Sequence, residues 1–79
     1  MIDVKVAYSA AEKLTSSKNL KRILSFNETF GFVFTNTDDE GICILINKND
    51  PEVSTLIPLG FANLDFLNTG QEIQLSTIK

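Results

Sequence analysis

Phe30, Phe32 and Phe34 alternate with Gly31, Val33 and Thr35, the two-residue rhythm of a strand with one aromatic face. After the polar stretch Asn36-Thr37-Asp38-Asp39-Glu40 the rhythm disappears, and Ile42-Cys43-Ile44-Leu45-Ile46 is apolar at every position. A strand with no polar face belongs in the middle of a sheet, covered above and below. The two runs predict a hairpin that forms the spine of the architecture.

Upstream, residues 2–8 carry two patterns at once. Ile2, Val4, Val6 and Tyr8 alternate as in a strand, with Ser9-Ala10-Ala11-Glu12 as a capping box opening a helix behind it. Val4, Ala7, Tyr8, Ala11 and Leu14 also form one apolar helical stripe, with Asp3 as its N-cap. The helical pattern makes better use of Ala7, Ala10 and Ala11, which favour helix and permit close approach to a sheet. It predicts a helix over residues 4–16, ended by Ser16-Ser17-Lys18-Asn19, with Asn19 able to take a left-handed C-terminal conformation.

Downstream, strands are expected over residues 20–26, 30–35, 41–48 and 53–57, with turns at Asn27-Glu28-Thr29 and Asn49-Asp50-Pro51. Pro58 and Gly60 interrupt regular structure. The apolar segment 61–67 reads as a single helical turn or as a flap folded over the sheet. Asn68-Thr69-Gly70 turns again, and Ile73 and Leu75 alternate with Glu72 and Gln74 in a last short strand. The expected fold class is α+β: one N-terminal helix packed on an antiparallel meander sheet of four to five strands.

A single short helix covers one face of such a sheet, and only in part. Read as separate faces, the Phe30/Phe32/Phe34 and Ile42/Ile44/Ile46 stripes cannot both be hidden by it. The remainder requires the segment 61–67, a second copy of the chain, or a partner.

Composition narrows the class. With 79 residues, 43% hydrophobic and 22% charged, the chain is one globular domain over residues 1–79. A domain of this size buries only about 60–65% of the surface its unfolded form exposes, so its stability margin is thin. No window approaches the ~18 uncharged apolar residues of a membrane-spanning helix, and Met1-Ile2-Asp3-Val4-Lys5 lacks the order of a signal peptide. One cysteine forms no internal disulfide, which makes the cytoplasm the expected compartment.

Charge is unevenly spread. Residues 1–27 hold five Lys/Arg against two acids, and residues 28–79 hold two against eight. The acids fall in predicted turns: Glu28, then Asp38-Asp39-Glu40, then Asp50 and Glu52. Acidic turns are solvated in the simplest case; as a patch they would speed encounter with a basic protein. Net charge is −3, against the phosphate neutralisation that nucleic-acid binding requires.

Catalytic chemistry is thinly represented. Without histidine the chain lacks Ser-His and Cys-His pairs and the usual general base near neutral pH. Cys43, inside an apolar run, is expected to be a buried, inert thiol. Ser9, Ser16, Ser17 and Ser25 lie near lysines, but sequence proximity establishes no Ser-Lys pair. Asp38-Asp39-Glu40-Gly41 lacks the alternate spacing of a calcium loop, and the four glycines are too scattered for a phosphate cradle. Thr29-Phe30-Gly31-Phe32-Val33-Phe34 is similar to the base-stacking strand of RNA-recognition motifs. Here Glu28-Thr29 replaces the basic residue, and 41–47 supplies a strand where that fold has a helix. No cofactor, metal, nucleic acid or membrane is expected.

Ile2-Asp3-Val4-Lys5-Val6-Ala7-Tyr8 followed by Ala11-Glu12-Lys13-Leu14 resembles the opening helix of small PepSY-like bacterial proteins, above all the immunity proteins associated with polymorphic toxins. In that group a helix precedes a strand, an aromatic-rich strand, and a third strand closing on Val-Asp-Lys-x-Thr-Gly-x-Val. Phe32-Val33-Phe34 corresponds to the aromatic strand and Ile46-Asn47-Lys48-Asn49-Asp50-Pro51-Glu52-Val53 to the third strand and its turn. Leu67-Asn68-Thr69-Gly70-Gln71-Glu72-Ile73 is similar to the group's closing Leu-x-x-Gly-x-x-Ile. Pro51 stands where the pattern has Gly, so a positive φ is closed to it and this turn must take another geometry. The resemblance implies a cytoplasmic protein that blocks or escorts another and catalyses nothing. The expected function is accordingly a small non-catalytic protein-interaction domain, with an immunity-type inhibitor as its specific form. Glu28, Asp38, Asp39 and Glu40 are the candidate contacts to a basic partner. The alternative is a self-associating structural or phage-type accessory protein, a homodimer formed through an uncovered sheet face or the third-strand region.

Overall fold

The computed structural model describes residues 1–15, 19–36, 39–59 and 64–78. Helix α1 (Val4–Glu12) opens the chain. Asp3 is its N-cap, in extended conformation, its carboxylate accepting from Lys5 N at 3.3 Å. This satisfies one of the otherwise unpaired first-turn donors. Ala7 and Ala11 are fully buried, and these small side chains let the helix lie close to the sheet. The helix stops at Glu12, about one turn before the predicted end. Leu14 N closes back on the Ala11 carbonyl at 3.0 Å, and Leu14 remains 41% exposed. Leu14 is too little covered for its burial to extend the helix beyond Glu12. Ser16, Ser17 and Lys18 lie outside the described residues. Asn19 is not left-handed, since no described residue other than glycine has positive φ. Its carbonyl instead accepts from Thr35 N at 3.0 Å and prolongs the sheet ladder.

The strands are β1 (Leu20–Ser25), β2 (Thr29–Asn36), β3 (Asp39–Asn47), β4 (Ser54–Pro58) and β5 (Gln71–Ile73). All neighbours are antiparallel, in the order β4-β3-β2-β1-β5. The first four strands form a meander, and β5 returns to the far edge beside β1. An Arg22–Glu72 ion pair of 2.9 Å spans the β1–β5 seam.

Register corrects one expectation. Phe30, Phe32 and Phe34 stand opposite Ile46, Ile44 and Ile42, so the two stripes share a single face. Directly opposed residues of an antiparallel pair project to the same side. Helix α1 covers this front face, assisted by Ile73, Leu75 and Ile78 at the end of the chain. Tyr8 packs on it with ring centroids 5.8 Å from Phe32 and 6.3 Å from Phe34.

The back face holds Leu24, Val33 and Cys43, and the chain covers it while travelling from β4 to β5. A 3₁₀ segment (Leu64–Thr69) presses Leu67 into this second core, joined by Phe66. The expected helical turn and the expected flap are therefore one element. Residues 61–63 of that expectation lie outside the described residues. The last strand ends at Ile73, so Leu75, expected within it, instead opens a second 3₁₀ turn (Leu75–Thr77) and packs on the front core.

Candidate functional site

Glu28 and the Asp39-Glu40 backbone do not come together. Glu28 is exposed in the β1–β2 turn. Asp39 and Glu40 begin β3 at the opposite end of the sheet, paired there through Asn36↔Asp39. The eight residues of β2 separate the two ends by roughly 26 Å at ~3.3 Å per residue. Asp38 and the side chains of Asp39 and Glu40 lie outside what the structure describes.

Glu28 shares its end of the sheet with a different set of acids. Lys48 N donates to the Glu28 carbonyl at 2.9 Å, and Ile2 N donates to the Lys48 carbonyl at 2.6 Å. These bonds draw the β1–β2 turn, the β3–β4 turn and the N-terminus to one end of the sheet. Asp3, Glu28, Asp50 and Glu52 are all exposed there. Asp3 was legible as a helix cap, but its grouping with three turn acids depends on contacts distant in sequence.

The β3–β4 turn is built without positive φ, as Pro51 requires. Asn47 Oδ1 accepts from Asn49 N at 2.8 Å and from Asp50 N at 3.2 Å, and Asp50 Oδ1 accepts from Glu52 N at 3.0 Å. These Asx turns use side chains to hold the backbone where a glycine would use conformational freedom. Val53 N then donates to the Asp50 carbonyl at 3.1 Å and delivers the chain into β4.

An open cleft of about 880 Å³ lies at the same end, lined by Ser25, Phe26, Glu28, Lys48, Thr69 and Gln71 among others. Lys48 dominates it. Its ammonium donates to Ser25 Oγ at 2.8 Å and to the Phe26 carbonyl, and stands 5.0 Å from the Phe30 ring centroid. The Ser-Lys proximity that sequence could not establish is therefore present between Ser25 and Lys48. In this geometry the lysine donates to the hydroxyl and to a carbonyl, and so ties the β1–β2 turn to β3. A general base would have to accept the serine proton instead.

Cys43 is fully buried. Burial pushes its thiol up to about 11, against a smaller opposing influence of Arg22. Tyr8 is raised as well, first by burial and then by Glu12 beside it on the helix. Among the described residues, no group of three or more His, Cys, Asp or Glu is arranged to hold a metal ion. No helix among them is long and apolar enough to cross a membrane.

The surfaces first considered for self-association are occupied: β3 is paired on both sides, and both sheet faces carry a cover. The β4 edge is different. Asn47 N donates to the Val53 carbonyl and Leu59 N to the Gly41 carbonyl, which makes 47/53 and 41/59 hydrogen-bonded pairs. Strict alternation then gives 45/55 and 43/57 the same character. The N–H groups of Ser54 and Leu56 consequently point away from the sheet, and no described group pairs with them. Leu56 is 44% exposed on the front side of this edge.

Comparison of the chain with protein-family models, with curated proteins and with solved structures returns no match.

Proposed function

We propose that this chain is a small non-catalytic protein-interaction domain that receives a basic partner protein at the turn end of its sheet. The observation that carries this reading is the placement of Asp3, Glu28, Asp50 and Glu52, from three separate segments, as exposed carboxylates at one end of the sheet, with Glu28 on the rim of the cleft there. Such a patch raises encounter rates with a cationic surface and gives orientation through charge. The buried, protonated thiol and the donor role of Lys48 support a binding role over a catalytic one. The resemblance to immunity proteins makes inhibition or escort of a toxin the specific form of this proposal. A free, buried cysteine suits a reducing compartment, and the cytoplasm is the compartment proposed.

The test uses two triple variants, one for each end of the sheet, against the partner recovered by affinity capture from host cells. Glu28→Ser/Asp50→Ser/Glu52→Ser is expected to weaken binding at least tenfold and flatten its salt dependence. Asp38→Ser/Asp39→Ser/Glu40→Ser is expected to change little. A reversed ranking would move the contact to the hairpin end, and indifference to both would overturn the acidic-surface reading. Labelling of Ser25 by a fluorophosphonate probe would overturn the non-catalytic one.

A further inference from the structure

We propose that β4 is a self-pairing edge: two copies of the chain join antiparallel through Ser54–Pro58, across a two-fold axis at Leu56, into one continuous sheet. This surface is separate from the acidic end, and the inference stands whether or not that reading holds.

The argument begins with which groups the edge offers. Its outward donors are the N–H groups of Ser54 and Leu56, and its outward acceptors are the carbonyls of Ser54, Leu56 and Pro58. In a register centred on Leu56, each Leu56 N–H meets the other copy's Leu56 carbonyl. Each Ser54 N–H meets the other copy's Pro58 carbonyl. Every outward donor is thereby satisfied by an acceptor of the same strand. The missing N–H of Pro58 leaves only the Ser54 carbonyls for water. The strand is complementary to itself.

Charge favours the same occupant. Ser54-Thr55-Leu56-Ile57-Pro58 carries no charge, so two copies of a net-acidic chain meet there without local repulsion. A basic partner has no attraction to this neutral strand. In the centred register the two Glu52 residues lie roughly 26 Å apart along the strand direction, at ~3.3 Å per residue. The opposite edge is protected: β5 has three residues, one of them the charged Glu72. Charge and brevity are the usual means of blocking edge pairing, and β4 has only its terminal proline.

The two Leu56 side chains would lie side by side on the front face. They would floor a groove beside the apolar recess formed by Ala10, Lys13, Leu14, Pro51, Glu52 and Ser54. A contact of five residues per copy is small, so the association is expected to be weak and to develop between roughly 10 µM and 1 mM.

Sedimentation equilibrium over that range is the test, with amide exchange recorded on the same samples. The wild-type chain is expected to shift to dimer, with Ser54 and Leu56 amides gaining protection as concentration rises. Thr55 and Ile57 amides should be protected throughout. Leu56→Pro removes the axial donor without removing a β3–β4 bond, and is expected to raise the dissociation constant at least tenfold. Leu56→Lys keeps the backbone and sets two like charges across the axis, with the same expected loss. A wild-type chain monomeric at 1 mM would overturn the proposal. So would dimerisation unchanged in Leu56→Lys, a variant whose folding does not depend on proline tolerance.

Discussion

The Phe26 ring fills the space that a side chain at Gly31 would need: a Cβ built on Gly31 would stand 2.8 Å from Phe26 Cε2. On the other side of the ring, a Cβ at Gly70 would stand 2.8 Å from Cε1. Phe66 stacks on the same ring with centroids 6.1 Å apart. Two glycines and one aromatic thus hold Phe26 over the back of β2, where it packs with the second core. Gly31→Ala is expected to destabilise the fold by about 1–3 kcal/mol through overpacking, read from the urea midpoint. In a Phe26→Leu background the added cost should shrink. Additive costs would show that the ring is not what the glycine accommodates.

Gly41 is constrained differently. Its φ is 100°, and a Cβ there would approach the Phe34 carbonyl oxygen to 2.7 Å. It sits in the irregular stretch where Phe34 pairs Ile42 while Asn36 pairs Asp39. Backbone cannot yield as a ring can, so Gly41→Ala should cost more than Gly31→Ala, about 2 kcal/mol or above. Thermal melting would register this as a fall of about 8 °C or more in Tm. A smaller loss than for Gly31→Ala would contradict the assigned backbone conformation.

Cys43 predicts an alkaline limit. Its thiol is raised from an ordinary 9.0 to about 11 in the fold, so the folded state favours the protonated form. The corresponding stability is fully present below pH 9 and is lost as pH rises from about 9 through 11. Urea unfolding across this window should show a declining stability whose slope is reduced in Cys43→Ala. At pH 8 the native thiol should resist a disulfide exchange reagent and react promptly in urea. Rapid native reaction would refute its burial.

Lys48→Met retains the aliphatic stem and removes the ammonium that joins Ser25 and the Phe26 carbonyl to β3. A loss of about 1–3 kcal/mol is expected, with faster amide exchange in the β1–β2 turn. Both oxygens are neutral acceptors, so the difference between variant and wild type should change little with added salt. A stability equal to wild type would identify the contact as incidental.

Much of the fold was legible because its signals are local. Asp3 as N-cap, the alanine stripe, the aromatic alternation and the unbroken apolar run each act through neighbouring residues. The helix end was not legible. Whether Leu14 continues the helix depends on what surface lies beneath it, and that surface comes from strands far along the chain. The candidate site was legible in residue types alone. Acidic turns are visible in the sequence, but Glu28 joins Asp3, Asp50 and Glu52 only because backbone bonds to Lys48 close that end of the sheet.

The amino-acid order, then, was sufficient for the N-terminal helix and the four longer strands, for the buried character of Cys43 and for the geometry that Pro51 forbids. Each follows from rhythm, side-chain chemistry or a ring that restricts one dihedral. Folding in three dimensions assigned the faces, the edges and the company each turn keeps. Hairpin register put Phe32 opposite Ile44 and merged two apolar stripes into one core. The return of β5 to β1 left β4 as the open edge. A one-residue change of register would have reversed every one of those side chains, and no local pattern carries that information.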